Sequence, residues 1–376
     1  MAQRLLRPSV LDEGLRSGLF LSGLRRTGKT TFLRNDLIPA LEEQGALVIY
    51  VDLWSDTKAN PATLVHAAVR RALEELQTPK SALLRRLQRV AGAEVEAFGF
   101  KFGFDLRKLG DKGGPTLAQA LAEVIDQAKS DVVLIVDEVQ HAITSDEGNE
   151  LLLALKAARD AINPRPGTPG HFLFIGTGSH RALVSELTTR RNQAFVGATS
   201  VQYPVLGADY VRYVLERLAR ESPGPWPSVE VATEAFKTLG SRPEGLLSAL
   251  RQLQHMTEQV RPYPDQVLPV IAQTLRAQAA EVELRTVERL GALAVVIFER
   301  VASAGGDVRG LFSGEALADY TRAIGREVRV EEVQGLLNEL LDANIIMRRG
   351  HGLYGVTDPF VQEIWREKKA LEAGFY

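Results

Sequence analysis

Short apolar runs alternate with helical patterns through the first two thirds of the chain. Each run is almost continuously hydrophobic, which is typical of strands that are buried on both faces of a parallel sheet. Helices are predicted between the runs, over Thr30–Glu43 and about Asn149–Ile162. The pattern therefore predicts an α/β fold with helices on both faces of the sheet. The predicted strands are Leu19–Leu21, Ala46–Leu53, Val132–Val136, His171–Ile175 and, as a fifth, Val201–Val205.

An insert over about residues 57–115 interrupts this alternation between the second and third strands. Two helices are predicted in it, near Pro61–Leu76 and Ser81–Val90. Every second residue of Phe98–Phe104 is then phenylalanine, which puts the rings on one face of an extended segment. We predict a strand or hairpin that lies on the main domain, and a protruding hairpin that contacts a partner is the alternative.

The last third of the chain is helical at first and then changes character. From about residue 284, three helical patterns precede a hairpin pattern, which is the order of a winged-helix domain. We predict an α/β core over residues 1–206, a helical domain over 207–282 and a winged helix over 283–376. The predicted winged-helix elements are Val287–Ala302, Gly314–Ile324, Val330–Ala343, Ile345–Arg348 and Leu353–Val356.

The strongest chemical signal lies between the first strand and the helix that follows it. Residues 23–30 read GLRRTGKT and fit G-x4-G-K-[ST], the pattern of a phosphate-binding loop in this context. The glycines let backbone N–H groups face the phosphates, and the helix directs its positive end at the same anion. We expect Lys29 to bind the β- and γ-phosphates and Thr30 to offer a hydroxyl to Mg²⁺. The predicted nucleotide-binding residues here are Gly23, Thr27, Gly28, Lys29, Thr30 and Thr31.

The third strand ends in Asp137 and Glu138, within VVLIVDE, which is a Walker B pattern. Ligands of parallel sheets bind at the carboxyl ends of the strands. We expect Asp137 to hold Mg²⁺, directly or through water, and Glu138 to orient and polarise the attacking water. An exposed pair of charges is the alternative, but the phosphate-binding pattern upstream favours the catalytic interpretation.

Polar residues also follow the fourth strand, in IGTGS. Either Thr177 or Ser179 is expected to touch the γ-phosphate or the water, and a simple strand-end turn is the alternative. Neither N-K-x-D nor T-K-x-D occurs, which favours adenine over guanine. The predicted cofactors are therefore ATP and Mg²⁺.

These motifs together resemble the archaeal-type ATPases of the AAA+/STAND group, which also occur in bacteria. The resemblance runs from about Arg7 to Arg366 and is weakest in the insert. It implies a P-loop ATPase switched by nucleotide, in which residues 207–282 form a lid and both the lid and the winged helix move relative to the sheet. Relatives in this group include DNA replication initiators, transposition helpers and signalling switches. The segments that carry the resemblance are GLRRTGKTTFL, VVLIVDEVQ, IGTGS, SRPEGL and VTDPFVQEIW.

The resemblance also points to arginines that would neutralise charge during phosphoryl transfer. Arg190 and Arg191 precede the fifth strand, where an arginine finger falls in AAA+ proteins, although its position varies in this group. A solvated pair is the alternative. Arg242 opens a lid helix with Pro243 in its first turn and would reach the phosphates when the lid closes, a structural role being the alternative.

Composition narrows the choice of compartment and metal chemistry. The chain has no cysteine, which excludes disulfides and thiolate metal sites. Its N-terminal segment is charged and lacks the apolar stretch of a signal peptide. No apolar run approaches the roughly 20 residues of a membrane span, so we expect a cytoplasmic protein.

The charge pattern bears on the partner. The net charge is only −2, and the predicted third helix of the winged helix, VEEVQGLLNELLDA, has no lysine or arginine. Phosphate contacts dominate DNA affinity, so an acidic helix would repel a duplex. We predict a switch that acts on a protein partner or on its own oligomer. A DNA-acting ATPase of the initiator or transposition-helper type is the alternative, with a basic stretch between Lys80 and Lys108 as its surface.

Overall fold

A computed structural model describes the chain except residues 24–25, 57, 80, 92–98, 144, 180–183, 185–186, 190–192, 223, 257–262, 305, 351 and 375–376. The described backbone divides into two compact units, Met1–Tyr203 and Pro204–Tyr376. Each unit has hydrophobic cores of its own.

Five parallel strands form the sheet of the first unit. The strands are β1 (Leu19–Ser22), β2 (Leu47–Asp52), β3 (Val132–Asp137), β4 (Phe172–Gly178) and β5 (Thr199–Gln202). Their order in the sheet is β2-β3-β4-β1-β5, and β1, β3 and β4 are buried along their whole length. This confirms the predicted parallel sheet, because only strands covered on both faces can be apolar at every position.

Helices of the first unit cover both faces of this sheet. On one face, Leu73, Leu121 and Leu155 of three helices pack with Phe20 and Phe174 of the strands. The other face buries the helix that follows β1, which a π-helical turn at residues 33–37 divides. The helices are α1 (Ala2–Leu6), α2 (Lys29–Phe32), α3 (Ile38–Glu43), α4 (Pro61–Gln77), α5 (Ala82–Ala91), α6 (Leu117–Ala128), α7 (Gln140–Ile143) and α8 (Asp146–Ile162).

The phenylalanine segment of the insert is not a strand over its described residues, so that prediction is wrong. Its backbone N–H groups bond to helices instead: Gly103 donates to Glu123 Oε1 at 2.8 Å, and Phe100 donates to the Leu76 carbonyl at 2.9 Å. Phe100 is buried, and the rings of Phe102 and Phe104 stack against the same core. The segment does lie on the main domain, as expected; Phe98 lies outside the described residues.

The fifth strand begins two residues earlier than predicted and ends at Gln202. It pairs with β1 at the edge of the sheet, and most of its residues are exposed. Because such a strand needs no continuous apolar run, hydrophobicity alone gave the wrong bounds.

The second unit combines a helical part with a winged-helix part. In the first, Phe236, Leu250 and Leu268 form the core; in the second, Phe298, Leu337 and Trp365 do so. The three-stranded antiparallel sheet has the order β6-β8-β7, and its short first strand was not predicted. The elements are α9 (Ala208–Glu221), α10 (Val229–Thr238), α11 (Pro243–Gln254), α12 (Pro264–Arg289), α13 (Ala292–Ser303), β6 (Val308–Arg309), α14 (Gly314–Ile324), α15 (Val330–Asp342), β7 (Ile346–Gly350), β8 (Leu353–Val356) and α16 (Pro359–Gly374).

The single helix predicted over Val287–Ala302 is in fact two helices. Gly291 separates α12 from α13 and has a φ of 100°, a conformation that glycine adopts without strain. Helix α12 runs unbroken across residues 282–283, where the sequence suggested a boundary. Within the described part of the chain, none of these helices has both the length and the apolarity to cross a membrane.

Candidate functional site

The candidate phosphate-binding loop joins β1 to α2. A Cβ atom on Gly23 would lie 3.1 Å from the Cβ atom of Tyr203, so a side chain there would press on the tyrosine. Gly28 precedes α2 with a φ of 93°, in the left-handed region that favours glycine. The backbone conformation therefore favours glycine at position 28, and the lack of space for a side chain favours it at position 23. Leu24 and Arg25 lie outside the described residues.

Lys29, the first residue of α2, folds back over this loop. Its ammonium group donates to the Gly23 carbonyl oxygen at 2.7 Å, and the residue is only 6% exposed. A buried ammonium group beside this loop provides positive charge where an anion would bind.

Asp137, at the end of β3, accepts hydrogen bonds on both carboxylate oxygens. Thr30 and Tyr50 donate their hydroxyls to Oδ2 at 2.7 and 2.9 Å. Thr177 and the backbone N–H of Glu138 donate to Oδ1, the latter at 3.1 Å. The residue is 1% exposed, so these bonds fix the orientation of a buried carboxylate. The fold thus brings together the side chains of Thr30, Asp137 and Thr177.

Glu138 follows with a φ of 57°, which is uncommon for a residue with a side chain. Its Oε2 accepts the hydroxyl of Ser179 at 2.9 Å and the Ser179 backbone N–H at 3.3 Å. The Gln140 amide donates to the same oxygen and, at 3.2 Å, to the Ser179 hydroxyl. The backbone conformation at Glu138 therefore places its carboxylate near the end of β4. Ser179 and Gln140 donate hydrogen bonds to it there.

Two residues of this site were missed at the sequence level. Tyr50 sits on β2, where it reads as one position of a strand pattern. Gln140 is 3% exposed, which is unusual for a glutamine, but only the structure reveals its burial. Its position two residues after Glu138 was the one available signal.

The electrostatics of Tyr50 follow from its position. Burial and the neighbouring Asp137 carboxylate raise the pKa of the Tyr50 hydroxyl well above its usual range. The hydroxyl therefore keeps its proton, and remains a hydrogen-bond donor, at any physiological pH.

The site has a donor set that suits Mg²⁺. One carboxylate and one hydroxyl are hard oxygen ligands, and Mg²⁺ commonly binds such a pair together with phosphate oxygens and water. Over the described residues, no cluster of three or more histidine, aspartate or glutamate side chains forms a metal site built from protein alone. A metal here would therefore depend on the nucleotide for part of its coordination.

Of the three predicted arginines, the described residues include Arg242 alone. Arg190 and Arg191 lie outside the described residues. Arg242 belongs to the second unit, where it precedes α11 and its guanidinium bonds Asp358 Oδ2 at 2.5 Å. Asp358 is buried and also accepts the Phe360 backbone N–H at 3.0 Å. Arg242 thus links the helical part of its unit to the start of α16.

Comparison with known proteins gives a family. Residues 8–248, more than half of the chain, match the model of an ATPase domain found predominantly in Archaea. No curated protein matches the chain.

Comparison with solved structures shows proteins that are similar to this chain in fold. The ORC2 protein of Aeropyrum pernix in its ADP form is 13% identical, with a TM-score of 0.51 over 95% of this chain and 88% of that chain. The ADPNP–ADP complexes of the same protein are 15% identical, with a TM-score of 0.49 and coverages of 98% and 92%. CDC6P from Pyrobaculum aerophilum is 15% identical, with a TM-score of 0.43 and coverages of 98% and 93%.

Proposed function

The chain belongs to the family of ATPase domains found predominantly in Archaea, and from that premise we propose that it binds ATP with Mg²⁺ and hydrolyses the terminal phosphoanhydride bond. One observation carries the proposal: the Thr30 hydroxyl donates to Asp137 across 107 residues of sequence. This bond joins the helix after the glycine-rich loop to the end of β3, which are the two places where a P-loop ATPase holds its metal and phosphates.

The loop and Lys29 bind the phosphates in this proposal. Backbone N–H groups of a glycine-rich loop can bind an anion, and the positive end of α2 would add to the field. Lys29 leaves the Gly23 carbonyl oxygen and pairs with the phosphate oxygens, which are stronger acceptors because they are charged. Thr27 within the loop and Thr31 in α2 would complete the nucleotide contacts.

Thr30 and Asp137 would hold the metal. A hydroxyl that donates its hydrogen to Asp137 keeps its oxygen lone pairs for a cation, so the observed bond suits metal binding. When bound, Mg²⁺ supplies positive charge that neutralises the phosphate oxygens.

Glu138 would act on the attacking water. The described bonds from Ser179 and Gln140 to the Glu138 carboxylate end at Oε2, and we assign the water contact to Oε1. The carboxylate orients the water and accepts a proton from it as the water oxygen forms a bond to the γ-phosphorus. The bond between the γ-phosphorus and the oxygen of ADP breaks in the same reaction. Thr177 and Ser179 would hold the two carboxylates in their orientations. The candidates for neutralising charge during phosphoryl transfer remain Arg190, Arg191 and Arg242.

The charge of the winged helix supports a protein partner, or another copy of the chain, over DNA. The exposed face of α15 presents Glu331, Gln334, Asn338 and Glu339. This face would be repelled by phosphates, whereas a DNA-reading helix is normally surrounded by lysine and arginine. We therefore propose a nucleotide-dependent switch acting on protein, with a DNA-acting ATPase as the second candidate.

Two variants test the ATPase proposal together. Lys29→Ala is expected to abolish nucleotide binding, because it removes the buried positive charge of the loop. Glu138→Gln is expected to keep ATP binding and to lower turnover at least about 100-fold, because it removes the general base. Lys156→Ala, which alters an exposed lysine paired with Asp160 on α8, is the control and should match the wild type.

Binding of a fluorescent ATP analogue and release of phosphate are the measurements. Normal turnover by Glu138→Gln would contradict the assignment of the water to Glu138. Unchanged binding by Lys29→Ala would contradict the phosphate site itself.

A further inference from the structure

Tyr50 contributes to the candidate metal site from outside the recognised motifs. It lies on β2, a strand at the edge of the sheet that pairs in register with β3, so that Tyr50 lies opposite Ile135 and Asp52 opposite Asp137. Its ring packs with the residues of α2 and α3 on one face of the sheet, and its hydroxyl reaches Asp137 Oδ2 at 2.9 Å.

The hydroxyl serves a purpose that packing does not require. A phenylalanine would fill the same half-buried space, so the hydroxyl adds its hydrogen bonds: it donates to Asp137 and accepts from the Arg34 guanidinium. The guanidinium carbon of Arg34, an exposed residue, lies 4.9 Å from the centre of the Tyr50 ring. Arg34 and the sheet hold the ring between them, and the hydroxyl therefore points in a fixed direction.

The two donors on Oδ2 differ in what a metal does to them. Thr30 is itself an expected ligand, so a bound cation pulls on the group that orients the carboxylate. Tyr50 lies on β2, the strand beside β3, and its hydrogen bond orients Oδ2 independently of Thr30. Groups that orient metal ligands in this way commonly change metal affinity 10- to 100-fold.

We propose that Tyr50 is a positioning residue of the metal site, whose hydroxyl holds Asp137 Oδ2 in the orientation that binds Mg²⁺. This inference rests on the proposed nucleotide-binding function. It concerns the affinity for the metal, and it leaves the binding of nucleotide in the absence of metal to the loop and Lys29.

Tyr50→Phe tests this role because it removes the hydroxyl and nothing else. Tyr320→Phe is the matched control: Tyr320 is a buried tyrosine of the second unit, and its hydroxyl has no hydrogen-bond partner among the described residues. Asp137→Asn removes the carboxylate charge and serves as the reference for the loss of a metal ligand.

The measurement is the affinity of the full chain for methylanthraniloyl-ADP, first in EDTA and then across a series of Mg²⁺ concentrations. For Tyr50→Phe we expect an unchanged affinity in EDTA and about a 10-fold higher Mg²⁺ concentration for the half-maximal effect of the metal. Tyr320→Phe should match the wild type in both conditions. With Mn²⁺, the wild type and the variants should rank in the same order by the metal concentration needed for the half-maximal effect.

Three results would overturn the proposal. Tyr50→Phe with the Mg²⁺ dependence of the wild type would mean that the hydroxyl does not orient Asp137. Equal losses of affinity in EDTA and in Mg²⁺, or a failure to fold seen by circular dichroism, would assign Tyr50 to packing. Wild-type protein without any Mg²⁺-dependent nucleotide binding would instead refute the proposed function, before the variants are compared.

Discussion

At the scale of single residues, two adjacent carboxylates have separate sets of partners. Thr30, Tyr50 and Thr177 bond the side chain of Asp137, whereas Ser179 and Gln140 bond that of Glu138. Changes at one carboxylate should therefore affect the metal, and changes at the other should affect the water.

Gln140→Met should separate these two functions. Methionine keeps the length of the side chain and loses its bond to the Glu138 carboxylate, a bond of a kind worth about 1.5 kcal/mol. We expect kcat to fall about 10-fold, with little change in the KM for MgATP, because Glu138 loses orientation and the phosphate contacts stay intact. Steady-state kinetics measure both values.

The control for this experiment is Gln127→Met. Gln127 donates to the Lys101 carbonyl oxygen at 2.8 Å and lies on α6, away from both carboxylates. Its kinetics should match the wild type. Equal kcat values for Gln140→Met and the control would show that Gln140 does not orient Glu138.

The sequence points to the residues that lie within motifs of fixed spacing, and it misses Tyr50 and Gln140, which lie outside those motifs. Lys29 and Thr30 follow from one continuous pattern, and Asp137 from the strand before it. Tyr50 is missed because its partner lies 87 residues away, and nothing within β2 marks the tyrosine hydroxyl as different from any other.

At the scale of elements, strands that are buried along their whole length are the ones that the sequence locates best. Every residue of β3 is apolar until Asp137, so its position is plain. The exposed edge strand β5 and the break at Gly291 depend on pairing and backbone conformation, which hydrophobic periodicity does not record. The phenylalanine segment was misjudged for a related reason, since its backbone N–H groups bond to a helix carbonyl oxygen and to a helix side chain.

Arg242→Ala should destabilise the second unit. Asp358 is buried, and the variant would leave its carboxylate without the guanidinium, although the Phe360 N–H still bonds it. We expect a loss of about 2 kcal/mol, less than for a fully buried pair because Arg242 is partly exposed. Urea denaturation monitored by circular dichroism measures this loss.

Arg285→Ala is the control for the ion pair. Arg285 pairs with Glu281 at 2.7 Å on the exposed side of α12, where such a pair contributes less than about 0.5 kcal/mol. Equal stability of the Arg242 and Arg285 variants would mean that the pair with Asp358 contributes nothing to the unit.

At the scale of the whole molecule, the residues that hold the two carboxylates all belong to the first unit. The second unit contributes the winged helix with its acidic α15 face. The net charge of −2 adds no long-range attraction to nucleic acid. On this account, nucleotide chemistry is built into one unit, and the other is available to report the nucleotide state to a protein partner or to another copy of the chain.

Phosphate release from ATP by the purified full chain, measured with Mg²⁺ or EDTA and with or without duplex DNA, tests the proposed ATPase directly. We predict turnover that requires Mg²⁺ and changes less than about two-fold when DNA is added. Strong stimulation by DNA would favour the DNA-acting alternative. Absence of Mg²⁺-dependent phosphate release would contradict the proposed ATPase.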